Sequence, residues 1–157
     1  MKSANITKNH DGSPDLFTSM HKLLGAEVAF DVCLSTTIEE IEDTMPLAAL
    51  QAKCIEHKSE LQATINTLAE FLNNTPLSLK VAAAFNEGTD VIYALGPCLQ
   101  QPKIAYVLTK CHEAIIGIIK NECMVFSPPK AIHPFLLHSL SLHDCMAREL
   151  ASFLQTK

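Results

Sequence analysis

Tryptophan is absent from this 157-residue chain, and only two tyrosines and five glycines occur. Glycines so few and so scattered exclude a phosphate-cradling loop of the nucleotide-binding kind. Charged residues make up 18%, below the usual quarter, and twelve basic against seventeen acidic side chains leave a formal charge of −5. The basic residues are dispersed as well as outnumbered, so DNA and RNA are not expected partners. Long apolar runs are missing too: the densest, Ala114 to Ile119, is six residues long, against the roughly 20 that cross a bilayer. No membrane-spanning role is expected. The polar segment 1–13 lacks the apolar centre of a secretory signal, and reads as a flexible tail on a protein that stays in the cytoplasm. The six cysteines form no Cys-x-x-Cys pair, and reduced thiols are the simplest account of them.

What is present is core-forming material. Hydrophobic residues reach 48% with aromatics at only 6%, so the apolar content is mostly Leu, Ile, Val and Ala, enough for one domain over residues 14–157. After Pro14, the positions Leu16, Met20, Leu23, Phe30, Leu34, Ile41 and Met45 recur at three and four, the spacing of one helical stripe. Pro46 restarts the pattern. Leu50, Cys54, Leu61, Ile65, Leu68 and Leu72 then form a second stripe, which ends at Asn73-Asn74-Thr75-Pro76. Ser13-Pro14, Thr75-Pro76 and Ser127-Pro128 each offer a capping oxygen beside a proline, as helix starts do.

The stretch 77–99 is more broken and predicts two short helices or one interrupted helix. A further long helix is expected over 103–125, and a last one carries Leu136, Ser139, Met146, Leu150 and Phe153. Period-two alternation is nearly absent. The expected fold is all-α: an up-and-down four-helix bundle with a short helical crossover insert. So apolar a chain should keep apolar surface after folding, and a homodimer is expected.

Motif scanning finds no Gly-x-Ser-x-Gly elbow, no His-Glu-x-x-His and no calcium loop. The informative residues are those that interrupt the apolar stripes. Glu27 lies on the first stripe, His57 on the second and His143 on the last, and an ionised carboxylate in a core must be paired, protonated or bound to a cation. Glu113 joins them by spacing, since Glu27 to His57 and Glu113 to His143 are both 30 positions apart. His112, beside Leu108, Ile115 and Ile119, fits the core stripe of its helix better than Glu113 does. Cys54-x-x-His57 places a thiol and an imidazole on one helical turn, a spacing that zinc accepts.

In this helix order and these carboxylates and imidazoles the chain resembles the ferritin-like superfamily, from about Pro14 onward. The resemblance implies a metal centre with Glu27, His57, Glu113 and His143 as ligands, Cys54 and His112 as additional candidates, and iron, manganese or zinc as the ion. It also implies a stress-related role. The family's bridging glutamates, three residues before each histidine, are replaced here by Cys54 and Leu140, so a six-ligand di-iron centre is not expected.

Two other readings of the same residues stay open. They can be hydrogen-bonded structural groups in a metal-free helical module that binds itself or a partner helix, or a Glu-His cluster that moves protons. His133 and His138 read as surface or interface residues. No adjacent Arg or Lys cluster marks Cys111, Cys123 or Cys145 as an activated thiol, and Glu39, Glu40, Glu42 and Asp43 read as a solvated acidic face.

Overall fold

The computed structural model describes residues 15–41, 48–73, 78–95 and 104–154. The expected tail over 1–13, and the Ser13-Pro14 and Thr75-Pro76 signals, lie outside the described residues. Those described form an all-α protein of five α-helices, with no strand among them: α1 Leu16–Ile41, α2 Ala48–Leu72, α3 Leu79–Tyr93, α4 Ile104–Ile118 and α5 His133–Leu154. No helix among the described residues is long and apolar enough to cross a membrane.

Burial follows the sequence pattern closely in α2 and α5. On α2 the buried residues are Leu50, Cys54, His57, Leu61, Thr64, Leu68 and Leu72; on α5 they are Leu136, Ser139, His143, Met146 and Leu150. Steps of three and four make each set a single stripe, with the opposite face in water. α1 differs because it has neighbours on several sides: 15 of its 26 residues are buried, and it packs against α2, α3 and α4. It is the central helix.

Contacts along the helices give their directions. Gln51 donates to the Ile38 carbonyl and Lys58 pairs with Asp31, so α2 runs antiparallel to α1. Phe71 meets Phe135 at one end of α2 while His57 meets Glu149 nearer the other, which makes α5 antiparallel to α2. The contacts of Phe30 with His112 and of Lys22 with Glu122 likewise set α4 and its continuation antiparallel to α1. α3 runs in the same sense as α1, with Lys80 near Asp15 and Thr89 reaching the Gly25 carbonyl.

The segment read as a small insert is a helix of 15 residues, equal in length to α4. It passes uninterrupted through Asn86-Glu87-Gly88-Thr89, because Gly88 serves packing rather than a turn. A Cβ at Gly88 would lie 1.9 Å from the Lys22 carbonyl oxygen, and one at Gly25 would lie 2.0 Å from that of Phe85. Two backbones meet where neither residue has a side chain.

Helix ends also depart from the proline signals. Asp15 accepts from the Thr18 N–H at 2.8 Å at the start of α1, and Ser78 accepts from Val81 N–H at 3.2 Å at the start of α3. Each cap is a short polar side chain just ahead of the first turn. α4 does not run as α-helix to Val125: it widens into a π turn over Ile119–Cys123, tightens to a 3-10 turn over Met124–Phe126, and stops at Ser127 with φ of 52°. Ser127-Pro128 therefore ends one helix and does not begin the next. α5 begins at His133, after a turn in which the Pro129 carbonyl accepts from the N–H groups of Ile132 and His133.

Candidate functional site

Ionisable side chains from α1, α2, α4 and α5 meet in the core. Glu27, His112 and His143 are 0% exposed and His57 is 1% exposed. His143 Nε2 lies 2.9 and 3.0 Å from the two Glu27 carboxylate oxygens, and its Nδ1 lies 2.9 Å from His112 Nδ1. His57 approaches His112 with ring centroids 6.0 Å apart and planes at 83°, while its Nε2 is 2.8 Å from Glu149 Oε1. Phe30 closes one side, edge-on to His112 at 4.6 Å. The order is Glu27, His143, His112, His57, Glu149.

Each of the four buried members is placed by a helical stripe. Glu27 follows Leu23 by four residues and precedes Phe30 by three; His57 sits between Cys54 and Leu61, His143 between Ser139 and Met146, and His112 between Leu108 and Ile115. Such positions force a polar group inside whatever its own preference, and partners must then be found for it.

Proton assignment follows from what each atom can do. A carboxylate only accepts, so His143 Nε2 carries hydrogen towards Glu27, and His57 Nε2 does so towards Glu149. Burial holds His112 well below the ordinary imidazole value, with His143 and His57 lowering it further, so this ring is neutral. Two arrangements then satisfy the contact between the Nδ1 atoms. Either a cationic His143 donates to His112, or a neutral His143 accepts from the His112 Nδ1–H. The second leaves His112 Nε2 as a bare lone pair, and a His57 ring with its one hydrogen on Nε2 presents Nδ1 in the same way. These two buried nitrogens have no hydrogen-bond partner among the described residues.

Glu149 was not singled out by sequence. It lies beside Leu150 rather than on the buried stripe, its side chain is 41% exposed, and no pattern marks it. Lys53 Nζ is 3.8 Å away, and Cys145 Sγ on the same helix is 3.8 Å from the other carboxylate oxygen. The bond from His57, with Lys53 adding to it, holds the Glu149 carboxyl below its usual range.

The structure does not bring Glu113 to this cluster. Its side chain is 57% exposed and pairs with Lys110 at 3.2 Å on the surface of α4, one residue along from the buried His112. Equal spacing in sequence placed it on the wrong face, since a helix turns by about 100° per residue. Cys54 is wholly buried, and burial pushes its thiol up to about 12. Among the described residues, no three His, Cys, Asp or Glu side chains converge as a ready-made metal cage. The chain matches no protein-family model, no curated protein and no solved structure.

Proposed function

We propose that this protein is a metal-binding helical bundle that takes one divalent transition-metal ion between His57 and His112. The single observation that carries the reading is the pair of buried, unpartnered ring nitrogens, His57 Nδ1 and His112 Nε2, on rings whose other nitrogens are tied to a carboxylate directly or through one more imidazole. A metal-binding histidine commonly donates its second N–H to such an outer partner. With metal–nitrogen bonds of about 2.0–2.1 Å, two imidazoles on one ion place their ring centroids roughly 5–6.5 Å apart, a range that contains the 6.0 Å separation here.

Of the expected ions, zinc and ferrous iron suit imidazole, whereas manganese favours oxygen donors that this pair lacks. Within the proposal Glu27, His143 and Glu149 orient the two ligand rings rather than bind, and Glu113 takes no part. The bound ion would supply Lewis acidity in a dry interior.

The bundle type belongs to this proposal too. α1, α2, α4 and α5 run up, down, down and up, with α3 returning the chain between the second and third. That is the order a four-helix bundle with one crossover requires, and ferritin-like folds are of this kind. Metal-free protein titrated with Zn2+ and, without oxygen, Fe2+ tests the function by calorimetry. One ion per chain, lost in both His57→Ala and His112→Ala, is the expected result. No uptake, with those variants altered only in stability, leaves a metal-free helical interaction module.

A further inference from the structure

Along part of their seam α2 and α5 stand apart and leave an open groove of about 680 Å³, a volume within the range of small-molecule sites. Its α2 wall is Glu60, Ala63, Thr64 and Thr67, and its α5 wall runs from Pro134 to Leu142. The room comes from small side chains, since Ala63, Thr64 and Thr67 reach less far towards α5 than leucines would. Phe135 meets Phe71 at 5.3 Å beyond Thr67, which closes that end with apolar surface. Because the two helices are antiparallel, Glu60 stands at the other end, towards Leu142. None of Glu27, His57, His112, His143 and Glu149 lines the groove, so it is separate from the buried cluster.

The polar atoms on its walls are of one kind. Thr64 Oγ1 donates to the Glu60 carbonyl at 3.3 Å and Thr67 Oγ1 to that of Ala63 at 3.1 Å, so both hydroxyl hydrogens are spent on the backbone of α2 itself. Each oxygen then has only lone pairs to offer, and the Glu60 carboxylate accepts only. No Lys or Arg lines the groove. The nearest basic residues of α2 are engaged elsewhere, Lys53 with Glu56 and Glu149 and Lys58 with Asp31, and among the described residues Glu60 has no ion pair. His138 can add a further acceptor through its bare ring nitrogen.

We infer that this groove is a binding site for a small organic cation, a primary ammonium group carried on an apolar chain. The ammonium sits at the Glu60 end, where it supplies the N–H donors that the carboxylate and the Thr64 hydroxyl lack, and its positive charge answers the one formal charge on the walls. The chain runs over Ala63 and Leu142 towards Phe135 and gives up its contact with water there. From Pro134 to Leu142 the α5 wall is about 12 Å long at 1.5 Å per residue, which an octyl chain with its headgroup matches. An anionic or purely apolar ligand of the same length leaves Glu60 unanswered. This site goes beyond the metal-binding reading and does not rest on it.

Three probes that share one chain and differ in the headgroup test it: octylammonium, 1-octanol and octanoate, each titrated into the full chain at pH 7.5 while backbone amide shifts are followed by NMR. Octylammonium should shift the amides of Ala63, Thr64, His138 and Leu142 and bind roughly three- to fivefold more tightly than octanol, the scale of one water-exposed ion pair, with octanoate weakest. Glu60 and Ala63 are both exposed, so substitutions there leave the core intact, which unchanged amide shifts away from the groove verify. Glu60→Gln should bring octylammonium down to the affinity of octanol, and Ala63→Trp, which obstructs the groove, should abolish binding of both. Equal affinity for octylammonium and octanol in the wild-type chain, or a preference that survives Glu60→Gln, overturns the proposal. So does binding that Ala63→Trp leaves unchanged, or no binding of octylammonium at all. Sedimentation checks the remaining occupant: a wild-type dimer that Ala63→Trp dissociates puts a second copy of the chain in the groove and overturns the cation site.

Discussion

His112 and His143 meet through their Nδ1 atoms at 2.9 Å, with both rings wholly out of water. One nitrogen must donate and the other accept, so neither ring can change its proton without the other responding. Because His143 also holds Glu27 through Nε2, the response extends to a carboxylate on a different helix. Side chains from α1, α4 and α5 thus behave as one unit, and its members should be strongly coupled in energy.

That coupling can be measured. His143→Leu leaves the Glu27 carboxylate buried with its partner gone, at an expected cost of about 3–5 kcal/mol. Replacing both members, as Glu27→Leu with His143→Leu, removes the stranded charge and should recover most of the loss. Urea unfolding of the metal-free single and double variants gives the comparison. A double variant no more stable than His143→Leu alone contradicts the pairing.

The His112 ring gives stability a pH dependence of known sign. Burial holds its folded-state value well below the ordinary 6.5, so on acidification the unfolded chain takes up this proton first. Stability consequently falls as pH drops below about 6.5, by up to about 1.4 kcal/mol per pH unit for one proton, until the folded-state value is reached. Above 6.5 the ring is neutral in both states and contributes no slope. Unfolding midpoints of the metal-free protein between pH 7.5 and 5.5 should show the decline, and His112→Phe should reduce the slope by about one proton.

Residues that break an apolar stripe were legible in sequence, because a helix leaves them no choice of side. Glu27, His57 and His143 were identified on that ground, and all three are buried. Glu113 was chosen instead by numerical spacing, which carries no physical force, and its buried neighbour His112 had the better helical register. Glu149 was illegible for the opposite reason: a residue at the flank of a stripe can turn to water or inward, and only the arriving His57 decides. The helices themselves were readable wherever a single stripe ran unbroken, as in α2 and α5. α3 was not, since Gly88 looks like a breaker until α1 is known to lie against it.

Glu113→Ala provides the matching negative prediction. The residue is exposed and, among the described residues, pairs with Lys110, three positions earlier, and such surface pairs contribute about 0–1 kcal/mol. The variant should bind Zn2+ with wild-type stoichiometry and unfold within about 0.5 kcal/mol of the parent. A loss of metal on this substitution alone would place the site on the other face of α4.

Glycine substitutions test the α1–α3 contact, because helix propensity and packing act in opposite directions there. Ala for Gly within a helix gains up to about 1 kcal/mol from propensity. At Gly117 the new Cβ would meet nothing nearer than the Asn121 side-chain nitrogen at 3.9 Å, so the gain should appear as increased stability. At Gly25 and Gly88 the new Cβ would overlap a carbonyl oxygen of the facing helix at 2.0 and 1.9 Å. Backbone cannot swing aside as a flexible side chain would, so α3 must shift off α1, and overpacking of this kind costs about 1–3 kcal/mol or more. Gly25→Ala and Gly88→Ala should therefore lower the unfolding midpoint while Gly117→Ala raises it. The same shift should leave Zn2+ stoichiometry intact, since α3 supplies no residue to the buried cluster.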